Sequence, residues 1–167
     1  MCRRRAGNGL VVDAGYLKLD AEGPIIMIKE RTSFTIGEEA TLTKLVNDDD
    51  IKAFAEISGD DNPVHMNDEY AKGTMFGGRI AHGILVAGLI SAVLGTMLPG
   101  TGAIYLSQQL RFLAPVRPGD EVTARARVSE WDPVKGRVTL STDVRNQDGV
   151  AVISGEARLV MSSYLKR

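Results

Sequence analysis

Ile80-Ala81-His82-Gly83-Ile84-Leu85-Val86-Ala87-Gly88-Leu89-Ile90-Ser91-Ala92-Val93-Leu94-Gly95-Thr96-Met97-Leu98 carries only His82, Ser91 and Thr96 as polar residues. A run this long and this apolar approaches the length of a membrane span. Three features oppose that reading. Gly83, Gly88 and Gly95 break up the stretch, an ionisable histidine stands near one end, and the chain has no second hydrophobic segment. Helices that are apolar on every side also occur in protein cores. The stretch is therefore read as a buried central helix that needs cover on several faces.

Outward from this helix, the pattern changes after Pro99-Gly100 from helical to extended. β-rich runs fall at about 103–113, 120–131, 136–146 and 150–161. Turn chemistry separates them at Pro115–Asp120, at Asp132-Pro133 with Gly136, and at Asp148-Gly149, the last read as a two-residue hairpin turn. Val122, Ala124, Ala126 and Val128 alternate with Thr123, Arg125 and Arg127, as in a sheet with one buried and one solvated face. On the N-terminal side, residues 39–46 read as a strand. Asn47, followed by three aspartates, caps a helix through about Ile57. The order is strand, helix, irregular segment, long apolar helix and four antiparallel strands. A sheet wrapped around one helix satisfies it, which makes the fold α+β, a single hot-dog domain.

The 167 residues, 44% of them apolar, suit one domain with a continuous core. Net charge is -1, with 20 basic against 21 acidic residues, so no nucleic-acid partner is expected. Cys2 is the single cysteine and cannot pair internally, which points to a reducing, cytoplasmic compartment. With two histidines and one cysteine, a zinc site is not expected, and any metal would have to rest on carboxylates. Arg3, Arg4 and Arg5 near the start are followed by no signal-like apolar core, because Asp13, Lys18, Asp20 and Glu22 interrupt it. Residues 1–32 are read as an N-terminal extension, poorly ordered in part and with Met27 as an alternative start; 33–163 form the domain.

Two segments carry chemistry. Ser58-Gly59-Asp60-Asp61-Asn62-Pro63-Val64-His65 lies between helices, where Gly, Asn and Pro impose an irregular backbone. Asp60 and His65, five positions apart across such a turn, can aim at one water molecule. The carboxylate would accept a proton while the imidazole fixes or exchanges the other, as addition of water across a conjugated double bond requires. The plainer alternative is that Asp60 or Asp61 caps the turn and His65 only packs. Arg79-Ile80-Ala81-His82-Gly83 opens the apolar helix, so the N–H of Gly83 can face a ligand and polarise a thioester carbonyl. Glycine also permits close approach of a substrate to the backbone. His82 is read as a supporting or substrate-binding residue, with simple bonding to a nearby carbonyl as the plainer alternative, and Gly83 could instead serve helix packing.

From Phe34 to Val160, about three quarters of the chain resembles the MaoC-like hydratases, among them (R)-specific enoyl-CoA hydratases and 3-hydroxyacyl-thioester dehydratases. The resemblance rests on residues 58–65, on Phe76 through Gly83, on Leu94-Gly95-Thr96-Met97-Leu98-Pro99-Gly100, and on Ala114-Pro115-Val116 followed by Pro118-Gly119-Asp120. It implies a homodimeric hot-dog hydro-lyase acting on a coenzyme A or acyl-carrier-protein thioester, with no metal or redox cofactor. It implies catalytic roles for Asp60 and His65 and a backbone donor at Gly83. Asn62 would orient the pair, while Ser91 and Leu94 would lie near the acyl pocket, Leu94 where chain length is selected. The reaction implied is reversible hydration of trans-2-enoyl thioesters to (R)-3-hydroxyacyl thioesters.

Other readings of the same chain are a hot-dog acyl-CoA thioesterase, which would release free thiol, a non-catalytic acyl-thioester-binding subunit, and a membrane protein. Arg111, Arg117, Arg125 and Arg127 are read as a solvated face rather than a phosphate site. Trp131 and Phe112 are read as core or dimer contacts rather than ligand platforms.

Overall fold

The computed structural model describes residues 30–165 and, as backbone alone, residues 3–6. Of the extension read over residues 1–32, residues 7–29, Met27 among them, lie outside the described residues, whereas residues 3–6 form a strand on the sheet. The elements run β1 (Arg3–Ala6), β2 (Glu39–Leu45), α1 (Asp48–Ser58), α2 (Pro63–Met66), α3 (Asp68–Lys72), α4 (Gly83–Thr96), β3 (Ala103–Phe112), β4 (Glu121–Asp132), β5 (Arg137–Asn146) and β6 (Ala151–Met161), followed by a short 3-10 turn. The strands make one antiparallel sheet in the order β1-β2-β4-β5-β6-β3.

Each element starts and stops for a local reason. The Asn47 side chain accepts from the Asp50 N–H (2.9 Å), and the Asp50 carboxylate accepts from the Asn47 N–H (3.1 Å), a reciprocal cap that opens α1. Gly59 ends the helix in the left-handed region at φ 75°, where a side chain would be strained. The β5–β6 connection differs from the expected two-residue turn. Asn146 N–H bonds the Val150 carbonyl, and Gly149, at φ 76°, closes a three-residue loop. The Asn146 side chain accounts for the longer loop, accepting from both Asp148 N–H (3.1 Å) and Val150 N–H (2.9 Å).

The sheet curls around α4, which packs against β2, β3, β4 and β5. Val86, Ile90, Val93 and Leu94 of the helix meet Val122, Ala124, Ala126 and Val128 of β4 and Val138, Leu140 and Val144 of β5 in one core. The alternation read on β4 is the observed one, with those four residues buried and the arginines between them on the outer face. At 14 residues α4 is shorter than the apolar run that contains it, because Ile80 and Ala81 lie before the helix and donate their N–H groups to the carbonyls of Val64 and Val116. Among the described residues no helix is long and apolar enough to cross a membrane.

The helix is not covered on every side. Ile84, Gly88, Ser91 and Gly95, spaced along one stripe, are exposed. The helix also packs against β3, the last strand of the sheet, whose Ile104, Leu106 and the following Leu113 are exposed.

Leu94 is fully buried in this core. Leu94→Ala is therefore expected to destabilise the protein by about 2–5 kcal/mol, the range for deleting a buried leucine side chain. Denaturant unfolding with an unchanged m-value would register it.

Candidate active site

The chain from the end of α1 to the start of α4 is folded into a series of side-chain caps that aim two histidines and an aspartate at one place. The Ser58 hydroxyl donates to the Phe54 carbonyl (2.6 Å) and accepts from the Asp60 N–H (3.2 Å), which turns the chain out of α1. Asn62 caps the short helix α2, accepting from Val64 N–H at 3.1 Å, and Pro63 occupies its first position. This single turn presents His65. Arg79 ties α1 to α3 through Asp48 (2.9 Å) and Asp68 (2.8 Å), and the bonds to those carboxylates, Asp68 first, raise its pKa above the ordinary arginine value.

His65 Nδ1 lies 2.8 Å from the Ile80 carbonyl oxygen. A carbonyl only accepts, so Nδ1 carries the proton and Nε2 is the nitrogen left for chemistry. His82 Nε2 lies 2.8 Å from the backbone carbonyl of Asp60 and carries the proton by the same reasoning. The two imidazoles stack with ring centroids 3.9 Å apart and 37° between planes. An oxygen of the exposed Asp60 carboxylate and one nitrogen of each ring lie within 4.8 Å of one another. Two imidazoles and a carboxylate are thus gathered at one place in a chain with two histidines.

His65 and Gly83 line a cavity of about 530 Å³, walled by Met75, Phe76, Ile84, Phe112, Leu113 and Val152 among others. The lining is mostly apolar, as an acyl chain requires. Gly83 is the first residue of α4, and its N–H has no acceptor among the described residues. It is one of the donors that a helix leaves unpaired at its positive end. A Cβ at position 83 would come within 2.7 Å of the Phe112 ring, so only glycine allows this close approach.

The structure thus brings together Asp60, His65, His82 and Gly83, with Asn62 as the cap beneath His65. Ser91 and Leu94 are not brought to the cavity within this single chain. Eight and eleven residues beyond Gly83, they stand roughly 12 and 16 Å along the helix axis. Ser91 is on the exposed stripe and Leu94 in the core. Of the residues read as core or dimer contacts, Trp131 packs edge-on against Phe34 and Tyr164. Phe112 instead lines the cavity while half exposed. Its direction could not be counted from the start of β3, because a bulge between Tyr105 and Ser107 shifts the alternation. Ser58 and Ile80 also escaped the sequence reading. One contributes a hydroxyl to a backbone N–H and the other only its carbonyl, for which a sequence carries no signal.

The MaoC-like domain family matches residues 30–150. An (R)-specific enoyl-CoA hydratase from Rhodospirillum rubrum is 51% identical over 125 residues, covering 75% of this chain and 86% of that protein. A 3-hydroxybutyryl-CoA dehydratase from Methylorubrum extorquens is 49% identical over 122 residues, covering 73% and 77%. The solved (R)-hydratase from Aeromonas caviae superposes with a TM-score of 0.75 at 41% identity, covering 77% of this chain and 98% of that one. With the site's geometry and these likenesses together, the chain belongs to the MaoC-like family of hot-dog dehydratases.

Proposed function

We propose that the protein is a hydro-lyase that adds water reversibly to trans-2-enoyl thioesters of coenzyme A or acyl-carrier protein, giving (R)-3-hydroxyacyl thioesters. The observation that carries the reading is the placement of His65 and Gly83 on one apolar cavity, with the Asp60 carboxylate within 4.8 Å of the imidazole. The thioester carbonyl accepts from the Gly83 N–H, and the acyl chain lies against the apolar walls. His65 Nε2 holds one hydrogen of a water molecule while Asp60 takes the other. As the water oxygen bonds to C3, electron density moves onto the thioester oxygen, where the helix N-terminus stabilises it. The proton held by Asp60 then passes to C2, on the face from which the water arrived. The sum is one water added and no change of oxidation state, so no redox cofactor is needed, and in this reading the residues of the chain themselves supply the acid and the base. The reducing, cytoplasmic setting belongs to the same proposal and is supported by Cys2 being the single cysteine.

The protein acts as a homodimer in this reading. An edge strand with unpaired backbone and exposed Ile104, Leu106 and Leu113, beside an uncovered helix stripe, is a surface that a second copy completes by pairing β3 with β3. Light scattering on the purified protein is expected to give twice the 18.0 kDa chain mass, and Leu106→Arg to shift it toward the monomer.

Mixing the protein with crotonyl-CoA is expected to remove the conjugated absorbance without releasing thiol, which separates hydration from thioester hydrolysis. Asp60→Asn and His65→Gln are each expected to lower kcat by about 10²–10⁴-fold, the usual contribution of a positioned acid or base. Full activity in both variants would remove the pair from the mechanism.

A further inference from the structure

We propose that His82 is the positioning residue of this site, a buried imidazole that holds Asp60 by its backbone and His65 by its ring, with kinetic consequences that rest on the hydration reading above. His82 is 2% exposed and, with Thr142, is one of two buried polar side chains among the described residues. It does not line the cavity, whereas its neighbours Ala81 and Gly83 do. Its Nε2–H is given to the Asp60 carbonyl, and its Nδ1 is buried with no hydrogen-bond partner. A ring so placed has no nitrogen facing a bound thioester and can act only through what it touches.

It touches every part of the site. The Asp60 peptide is clamped on both sides, its N–H by the Ser58 hydroxyl (3.2 Å) and its carbonyl by His82 (2.8 Å), which fixes the direction in which the carboxylate leaves the chain. The His65 ring rests on the His82 ring at 3.9 Å, and Phe54 supports His82 from α1 at 4.9 Å. His82 is also the N-cap residue of α4, bonded directly to Gly83, yet makes no side-chain cap. An N-cap side chain ordinarily turns back to its own helix. Here it reaches across to the Asp60 loop instead. One rigid ring therefore joins the oxyanion donor, the carboxylate and the imidazole, so that their separations are set before substrate arrives, as second-shell partners do around other reacting groups.

The chain has two histidines, so the ¹⁵N spectrum of ¹⁵N-histidine-labelled protein at mildly alkaline pH resolves both tautomers without substrate. Nδ1–H for His65 and Nε2–H for His82 are expected; Nδ1–H for His82 would overturn the proposal. In the crotonyl-CoA assay, His82→Phe keeps a ring against His65 but loses the donor to Asp60. It is expected to lower kcat by about 10–100-fold with KM nearly unchanged. His82→Gln, which can return an N–H to the Asp60 carbonyl, is expected to recover most of that loss. In an Asp60→Asn background, His82→Phe is expected to cost no more than about twofold further, because the two act as a unit. A folded His82→Phe protein with wild-type kcat, or losses that simply multiply with Asp60→Asn, would overturn it. An inactive wild type showing the expected tautomers would instead refute the hydration reading and leave the geometry standing.

Discussion

A helix with no polar face has to be wrapped, and in this protein almost everything follows from wrapping α4. The sheet cannot stay flat against it. β2, β4, β5 and β3 each reach the helix, and the alternation of Val122, Ala124, Ala126 and Val128 with charged neighbours is the sheet's half of that burial. The hydrophobic term is non-directional, so it accounts for the wrapping but not for the register or for the site. Those come from groups whose bonds have direction. The chain enters α4 through Ile80 and Ala81, whose N–H groups go to the carbonyls of Val64 and Val116, and through the Ile80 carbonyl, which accepts a hydrogen bond from His65 Nδ1–H. The same short segment thus feeds the core on one side and fixes the site on the other.

That dual use explains why the site sits at the helix N-terminus. The core buries Val86, Ile90, Val93 and Leu94 of α4, but the sheet cannot bond the first-turn N–H groups, which need an acceptor that the helix itself does not have. Gly83, which carries one such unsatisfied donor, lines a cavity with mostly apolar walls. Placing an acyl thioester there would satisfy the donor and bury the chain at once. One side of the helix and one edge of the sheet stay open within the chain, at Ile84, Gly88, Ser91 and Gly95 and along β3. In the proposed homodimer a second copy of the chain would cover both.

Much of the fold was legible in the sequence because its signals are local and periodic. Strand alternation, the Asn47 cap with its aspartates, and the Pro and Gly breaks between strands each act over a few residues, and the observed elements follow them closely. Where the reading went astray, the cause was a non-periodic event. A bulge in β3 shifted the direction of Phe112, and an asparagine side chain lengthened the β5–β6 loop.

By itself the sequence determined that a long apolar helix packs beneath antiparallel strands, that Asp60 lies in an irregular turn and that Gly83 starts a helix, while the single helical turn that presents His65 appeared only in the structure. These are matters of spacing, which a chain carries in one dimension. Only the tertiary structure decided which groups meet. It set His82 with its ring on His65 and its Nε2–H on the Asp60 carbonyl, gathered two imidazoles and a carboxylate in a chain poor in metal ligands, and left Ser91 and Leu94 away from the cavity. Contacts between residues 60, 65 and 82 depend on the path of the backbone between them and on hydrogen bonds to main-chain carbonyls. A carbonyl is the same in every residue, so no sequence pattern marks the one that will be used.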